Sequence, residues 1–121
     1  MSDQSKDHNA VIIEIANRLK QRKCRGVRAA GAGFEAPEKI TATGEAGQSF
    51  VPDITSQIPS YIIAVEDSSS LNNAGAAWSV FSAHARKTYR EFIVAVPRSC
   101  GDEARAKAKE MKIRNVKFLW Y

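Results

Sequence analysis

Two carboxylates in the middle of the chain each adjoin an apolar run. Asp53 lies in the segment 50–54, whose other residues are apolar, and Glu66 directly follows the apolar run 61–65. The polar break between the two runs predicts a hairpin, so the carboxylates are expected on neighbouring antiparallel strands. Charge beside apolar residues is costly unless it is compensated. The pair therefore binds a cation, pairs with basic side chains, or lies at an open sheet end without a role.

The charge of the chain is divided into three regions. The 121 residues carry a net charge of +5. Residues 1–28 have a net charge of +4 and residues 84–121 of +6, whereas residues 29–83, which contain both carboxylates, have −5. A basic chain favours a polyanionic partner, and an acidic centre between basic ends suits a metal-dependent phosphodiesterase. Ordinary solubilising surface charge gives the same pattern, so charge alone leaves both interpretations open.

Length and composition predict one globular domain over residues 1–121, in which residues 1–6 are expected to be disordered. The N-terminal region lacks the apolar run of a signal peptide or a membrane span, which predicts a cytoplasmic protein without a membrane partner. Cys24 and Cys100 lack metal-ligand spacing, and we expect free thiols in a reducing compartment.

Two hydrolase classes are disfavoured by the remaining nucleophiles and ligands. His8 and His84 have no cysteine or histidine partner at zinc-ligand spacing, which argues against a zinc hydrolase. Ser68 and the two serines after it lack the glycines of a nucleophile elbow, which argues against a serine hydrolase. His84, close to the apolar stripe of its helix, is expected to be a partly buried structural histidine, and His8 is expected to be exposed.

Hydrophobic periodicity predicts three helices and five strands in the order αβββαβαβ. The helices are expected at about 7–23, 74–89 and 100–112, and the strands at about 27–32, 48–55, 60–67, 91–96 and 115–121. An antiparallel hairpin followed by strand–helix–strand–helix–strand predicts an α/β fold with a mixed sheet flanked by helices on both faces. In the strand 60–67, alternation places Ile62, Ala64, Glu66 and Ser68 on one face.

This order, with Pro52-Asp53 on one strand and Glu66 at the end of the next, resembles the PD-(D/E)xK nuclease-like superfamily. The core of that superfamily is αβββαβ; residues 7–97 would cover it, and the last helix and strand would extend it. The resemblance implies a restriction endonuclease-like fold that acts on nucleic acid. It also implies Mg²⁺ bound by Asp53 and Glu66, which would support phosphodiester hydrolysis.

The chain departs from the superfamily at one catalytic position. A lysine normally stands two residues after the glutamate, and here that residue is Ser68. An ammonium would stabilise developing charge or position the nucleophile, which a serine does poorly at neutral pH. Some members supply the lysine from the following helix, where Lys87 is the candidate, although it lies ~20 Å from the start of that helix at 1.5 Å per residue. Lys39, before the two strands, is a second candidate.

Three hypotheses follow from the sequence. The first is a magnesium-dependent nuclease-like domain with Asp53, Glu66, Ser68 and Lys87 as site residues. The second is a catalytically inactive binding or interaction domain on the same fold. The third is a small basic protein whose apolar C-terminal strand, which includes 118–121, forms the edge of a homodimer.

Overall fold

The computed structural model describes residues 8–31, 33–42 and 47–121. Residues 1–6, for which we predict disorder, lie outside the described residues, as does residue 7, the first of the predicted helix 7–23. Three α-helices and seven strands occupy the described ranges. They are α1 (His8–Gln21), β1 (Arg28–Ala29), β2 (Ile40–Thr41), β3 (Ser49–Phe50), β4 (Ile54–Ser56), β5 (Tyr61–Val65), α2 (Gly75–Thr88), β6 (Glu91–Val96), α3 (Gly101–Glu110) and β7 (Val116–Trp120).

Five strands form one mixed sheet in the order β1-β4-β5-β6-β7. The pairs β1–β4 and β4–β5 are antiparallel, and the pairs β5–β6 and β6–β7 are parallel. The parallel half follows from the crossovers through α2 and α3, because parallel neighbours need a long connection. The predicted α/β class with a mixed sheet is confirmed.

Helices cover both faces of this sheet, and each face has its own apolar core. Ile62 and Ala64 pack with Trp78 of α2 on one face. Ile63 and Val65 pack with α1 on the other face. All four strand residues are at most 2 % exposed, and full burial of such side chains contributes about 1.5–3 kcal/mol for each larger one. The predicted alternation along β5 is therefore confirmed as far as Val65.

The strand predicted at 48–55 is wrong as a single element. β3 pairs with β2 in a separate two-stranded ribbon, whereas β4 pairs with β1 and β5 in the main sheet. Pro52 explains the interruption, because proline has no backbone N–H for a ladder and restricts the residue before it. Asp53 consequently lies in the bend that precedes β4 and not within a strand.

β7 lies at one edge of the main sheet, where it pairs with β6. Phe118 and Trp120, which alternation places on one face, stack with ring centroids 5.4 Å apart, and the Arg105 guanidinium lies 4.9 Å from the Trp120 ring centroid. Among the residues that the structure covers, no helix is both long enough and apolar enough to cross a membrane.

Candidate functional site

Asp53 and Glu66 lie at the same end of the central sheet. β4 and β5 run antiparallel with Ile54 opposite Ile63, so the start of β4 meets the end of β5. Asp53 directly precedes β4, and Glu66 directly follows β5, where its N–H donates to the Ala95 carbonyl of β6 at 2.8 Å. This end is also the carboxyl end of the parallel strands, which is the usual ligand-binding edge of an open α/β sheet.

The Asp53 carboxylate is held by the neighbouring strand. Its Oδ2 accepts the Val65 backbone N–H at 2.6 Å. Its Oδ1 lies 3.7 Å from His8 Nε2 at the start of α1, and the Asp53 side chain retains 24 % exposure. The Asp53 carbonyl accepts the Ala30 N–H at 2.9 Å, which fixes the bend against β1. The carboxylate is therefore fixed in position and still reachable from solvent.

The Glu66 carboxylate is more deeply buried and accepts a hydrogen bond at each oxygen. Glu66 as a residue is 9 % exposed. Ser70 Oγ donates to its Oε1 at 2.7 Å, and Trp78 Nε1 donates to its Oε2 at 3.0 Å. An ionised carboxylate has about four acceptor positions. Glu66 therefore keeps acceptor capacity for a further ligand.

Ser68 does not follow Glu66 on the strand face as the alternation predicts. β5 ends at Val65, and Asp67 Oδ1 then accepts the N–H groups of Ser69 at 2.9 Å and Ser70 at 3.0 Å, which turns the chain. The Ser69 hydroxyl also donates to Asp67 Oδ1. This hydroxyl is the largest cause that holds the pKa of the Asp67 carboxyl below its usual value, and the two N–H groups lower that pKa further. Ser68 is exposed in this turn, and Ser70 takes the contact with Glu66.

Burial raises the pKa of both Asp53 and Glu66 above their ordinary values. For Asp53, the Val65 N–H and the neighbouring His8 offset part of that rise. For Glu66, the hydrogen bonds from Ser70 and Trp78 offset part of it, whereas the negative charge of Asp53 raises the pKa of Glu66 further. Two desolvated acids that repel each other are stabilised by a shared proton or by a cation.

Lysine and arginine side chains are missing from the immediate partners of these acids. Within the described residues, the ion pairs give Asp53 the imidazole of His8 and give Glu66 no basic partner. Lys87 is exposed on the last turn of α2, nine residues after Trp78 and thus ~13 Å farther along the helix. Lys39 lines a cavity beside the β4–β5 turn. The structure brings neither lysine beside Glu66.

The donor set fits a hard divalent cation better than zinc. No cluster of three or more His, Cys, Asp or Glu side chains suitable for a metal occurs in the part of the chain that the structure describes. Mg²⁺ needs fewer protein ligands, because it commonly binds one or two carboxylates and retains waters or substrate phosphates. Asp53 and Glu66, both fixed by hydrogen bonds and both with acceptor capacity left, meet that requirement.

The raised pKa of Glu66 predicts a stability gain when its charge is removed. A carboxyl whose folded pKa exceeds its unfolded pKa favours folding in its protonated form, so stability should rise as pH falls from neutral towards 4.5. Glu66→Gln can accept from Trp78 through its oxygen and donate to Ser70 through its amide nitrogen. We expect a gain of about 1 kcal/mol at pH 7 and a flatter pH dependence, measured by chemical denaturation. A variant less stable than the wild type at pH 7 and equal to it at pH 4.5 would contradict this sign.

Tyr121 ties the C-terminus to the same site. Its hydroxyl donates to the Glu66 carbonyl at 2.7 Å. Burial, followed by nearby acids, raises the pKa of Tyr121 to about 12, so the hydroxyl remains a donor through neutral pH.

Tyr121→Phe should lower the free energy of unfolding by about 1 kcal/mol between pH 6 and 9. The wild type should lose stability between pH 10 and 12, where the unfolded tyrosine ionises first, and the variant should lack that loss. Thermal melts at both pH ranges measure it.

Sequence reasoning identified the two acids and missed the groups that hold them. The sequence predicts only exposure for His8 and no role at the site for Trp78, Ser70 or Tyr121. One signal was available for Trp78, because a buried tryptophan needs an acceptor for its N–H. The adjacent strand end offered Glu66 as that acceptor.

Searches against protein-family models, curated proteins and solved structures give no match to this chain.

Proposed function

We propose that this chain is a nuclease-like domain of the PD-(D/E)xK type that acts on nucleic acid with a divalent cation held by Asp53 and Glu66. The observation that carries the proposal is the pair of desolvated carboxylates at one sheet end, where the charge of one raises the pKa of the other. Such a pair is costly for folding and is relieved by a bound cation, which is typical of a functional site. The main sheet with α1 on one face and α2 on the other is compatible with a restriction endonuclease-like core.

The residues of the chain have distinct roles in this proposal. Bound Mg²⁺ would supply Lewis-acid activation of a phosphate and of a water molecule. Val65 orients Asp53 through its N–H, and Ser70 and Trp78 orient Glu66, so the two carboxylates are held without rearrangement. His8 Nε2 lies 3.7 Å from Asp53 Oδ1, beside the site. The basic ends of the chain favour binding of a polyanion.

Binding without cleavage is the second candidate function. Two observations favour it. The described residues place no lysine or arginine in an ion pair with Asp53 or Glu66, and Ser68 occupies the lysine position. Without an ammonium, the site has less electrostatic stabilisation for the transition state. A cation and a phosphate could still bind there. A homodimer through the edge strand β7 is compatible with either function.

The test is a cleavage assay on single-stranded, duplex and branched DNA with Mg²⁺. The nuclease function predicts cleavage that stops with EDTA and is lost in Asp53→Ala. Equal cleavage by wild type and Asp53→Ala would show contamination and contradict the proposal. Absence of cleavage, together with DNA binding that weakens steeply with salt, would select the binding function. Absence of both would overturn the assignment to nucleic acid.

A further inference from the structure

A second site lies at the opposite end of the β4–β5 hairpin from Asp53 and Glu66. Ser56 pairs with Tyr61 beside the turn, whereas Ile54 pairs with Ile63 beside the acids. A cavity of about 640 Å³ opens at this turn, between the hairpin, the last turn of α2 and the segment that leads into β2. Its volume lies within the usual range of small-molecule sites, about 300–1,000 Å³. Neither proposed metal ligand lines it.

The charge of the cavity wall favours an anion. Arg28, Lys39 and Arg90 line the cavity, and Glu38 is the acid among the lining residues. Glu38 Oε1 lies 3.5 Å from Arg28 Nη1, and Glu35 Oε2 lies 3.7 Å from Arg28 Nη2. Both glutamates are largely exposed, so solvent screens these pairs. His84, also in the wall, has its pKa lowered first by burial and then by the positive charges of Arg90 and Lys87. The excess of positive charge in the wall therefore comes from the lysine and arginine side chains and not from His84.

Arg90 is fixed in the wall by carbonyls of the β4–β5 hairpin. Its Nη2 donates to the Tyr61 carbonyl at 3.0 Å and lies 3.4 Å from the Ser56 carbonyl. Its Nε is buried and has no acceptor among the described residues. Within the described residues, the hydrogen bonds of this guanidinium come from Nη2 and go to carbonyls of the hairpin end, so Arg90 is a fixed positive charge in the cavity wall. The buried Nε is closed to a ligand in the cavity.

The uncharged residues of the cavity wall indicate which groups the ligand carries besides the anion. Thr41, Ser60 and Thr88 line the cavity. Thr41 Oγ1 pairs with Ser49 Oγ and Thr88 Oγ1 donates to the His84 carbonyl, and each hydroxyl oxygen keeps acceptor capacity. The described lining residues include no Phe, Tyr or Trp; the imidazole of His84 is the one aromatic ring among them. Guanidinium and ammonium groups bind phosphate oxygens, and hydroxyls donate to and accept from other hydroxyls. The complement of this wall is a phosphate attached to a hydroxyl-rich carbon skeleton.

We propose that this cavity binds a sugar phosphate, with Arg90 and Lys39 on the phosphate and the threonine and serine hydroxyls on the sugar. The ligand is either a free sugar phosphate or the terminal sugar phosphate of a nucleic acid strand. The proposal does not depend on the metal site, because the two sites share no residue and lie at opposite ends of the hairpin.

Calorimetric titration of the full chain tests it with five probes: ribose 5-phosphate, ribose, inorganic phosphate, a 5′-phosphorylated oligonucleotide and the same oligonucleotide without its 5′-phosphate. Ribose 5-phosphate should bind at least tenfold more tightly than ribose or phosphate. Binding of ribose 5-phosphate identifies the free ligand as sufficient. Binding of the oligonucleotide that is lost when the same oligonucleotide lacks its 5′-phosphate, without binding of ribose 5-phosphate, identifies the strand terminus as the source. The same affinity for ribose and for ribose 5-phosphate, or no binding of either phosphorylated probe, would overturn the proposal.

Lys39→Gln provides the decisive variant, because Lys39 is exposed and its removal leaves the core intact. We expect this substitution to lower the affinity for ribose 5-phosphate, or for the 5′-phosphorylated oligonucleotide, at least fivefold. Arg90→Lys keeps the charge but loses the planar set of guanidinium donors, and it should also lower that affinity. Lys109→Gln, on the exposed surface of α3, is the matched control and should leave the affinity unchanged. Equal affinities of wild type and Lys39→Gln would contradict the site.

Discussion

Asp53→Asn should reduce Mg²⁺ affinity and any magnesium-dependent cleavage about a hundredfold or more while the protein remains folded. Asparagine retains an oxygen for the Val65 N–H, now at 2.6 Å from Asp53 Oδ2, so the bend before β4 should persist. It removes the negative charge that a hard divalent cation requires. A hundredfold loss corresponds to about 2.7 kcal/mol, a plausible size for one charged ligand. Titration calorimetry and the cleavage assay measure the two effects.

The control for this variant is Glu110→Gln. Glu110 is an exposed acid at the last residue of α3, the end of that helix away from the carboxyl end of β6. It changes the net charge by the same amount and should leave Mg²⁺ affinity unchanged. An equal loss in both variants would mean that the effect comes from overall charge. Wild-type affinity in Asp53→Asn would remove Asp53 from the site.

Trp78→Phe should be the most destabilising of the conservative changes near the site. Trp78 of α2 is completely buried against the sheet, and its Nε1 donates to Glu66 Oε2 at 3.0 Å. Phenylalanine leaves a small cavity and leaves one carboxylate oxygen without its donor. Loss of a hydrogen bond to a charged group costs about 1.5–3 kcal/mol, and the cavity adds to this. We expect a total loss of about 3 kcal/mol at pH 7 by chemical denaturation.

The pH dependence separates the two contributions. The Trp78 donor lowers the pKa of Glu66, so its removal raises that pKa further. The hydrogen-bond part of the loss should be complete where Glu66 is ionised and should shrink as pH falls and the carboxyl becomes protonated. The cavity part should not change with pH. Phe92→Leu, a buried substitution in the same core without a polar partner, is the control and should give a constant loss.

The sequence predicted the layers of the fold because burial is periodic. Alternation along 61–65 and the helical periodicity of the segment 74–89 indicate which faces of these elements are buried. The two apolar cores of the structure bury those faces. It could not predict that β3 leaves the main sheet. Phe50 favours a strand on either partner, and the choice of β2 as the partner is a tertiary contact with no local signal. Pro52 marked the interruption but was treated as part of one continuous strand.

At the site too, the sequence predicts the features that neighbouring residues determine and misses contacts from residues far along the chain. Asp53 and Glu66 could be placed at one sheet end from the hairpin alone. The contacts that orient Glu66 come from residues 4, 12 and 55 positions away along the chain. Only the nearest of these, Ser70, lies within a turn, and the turn begins where Asp67 captures two backbone N–H groups. Strand alternation therefore pointed to Ser68, two residues too early.

The most direct test of a shared cation site is its location. Mn²⁺, which is a paramagnetic substitute for Mg²⁺, should broaden the amide signals of Val65, Glu66 and Ile54 in the NMR spectrum of the labelled chain. Signals of Ser60 and Tyr61, at the other end of the hairpin, should persist at the same Mn²⁺ concentration, and excess Mg²⁺ should reverse the broadening. Glu66→Gln should abolish the effect. Broadening that is absent in the wild type, that centres on another part of the chain, or that persists unchanged in Glu66→Gln would contradict the proposed site.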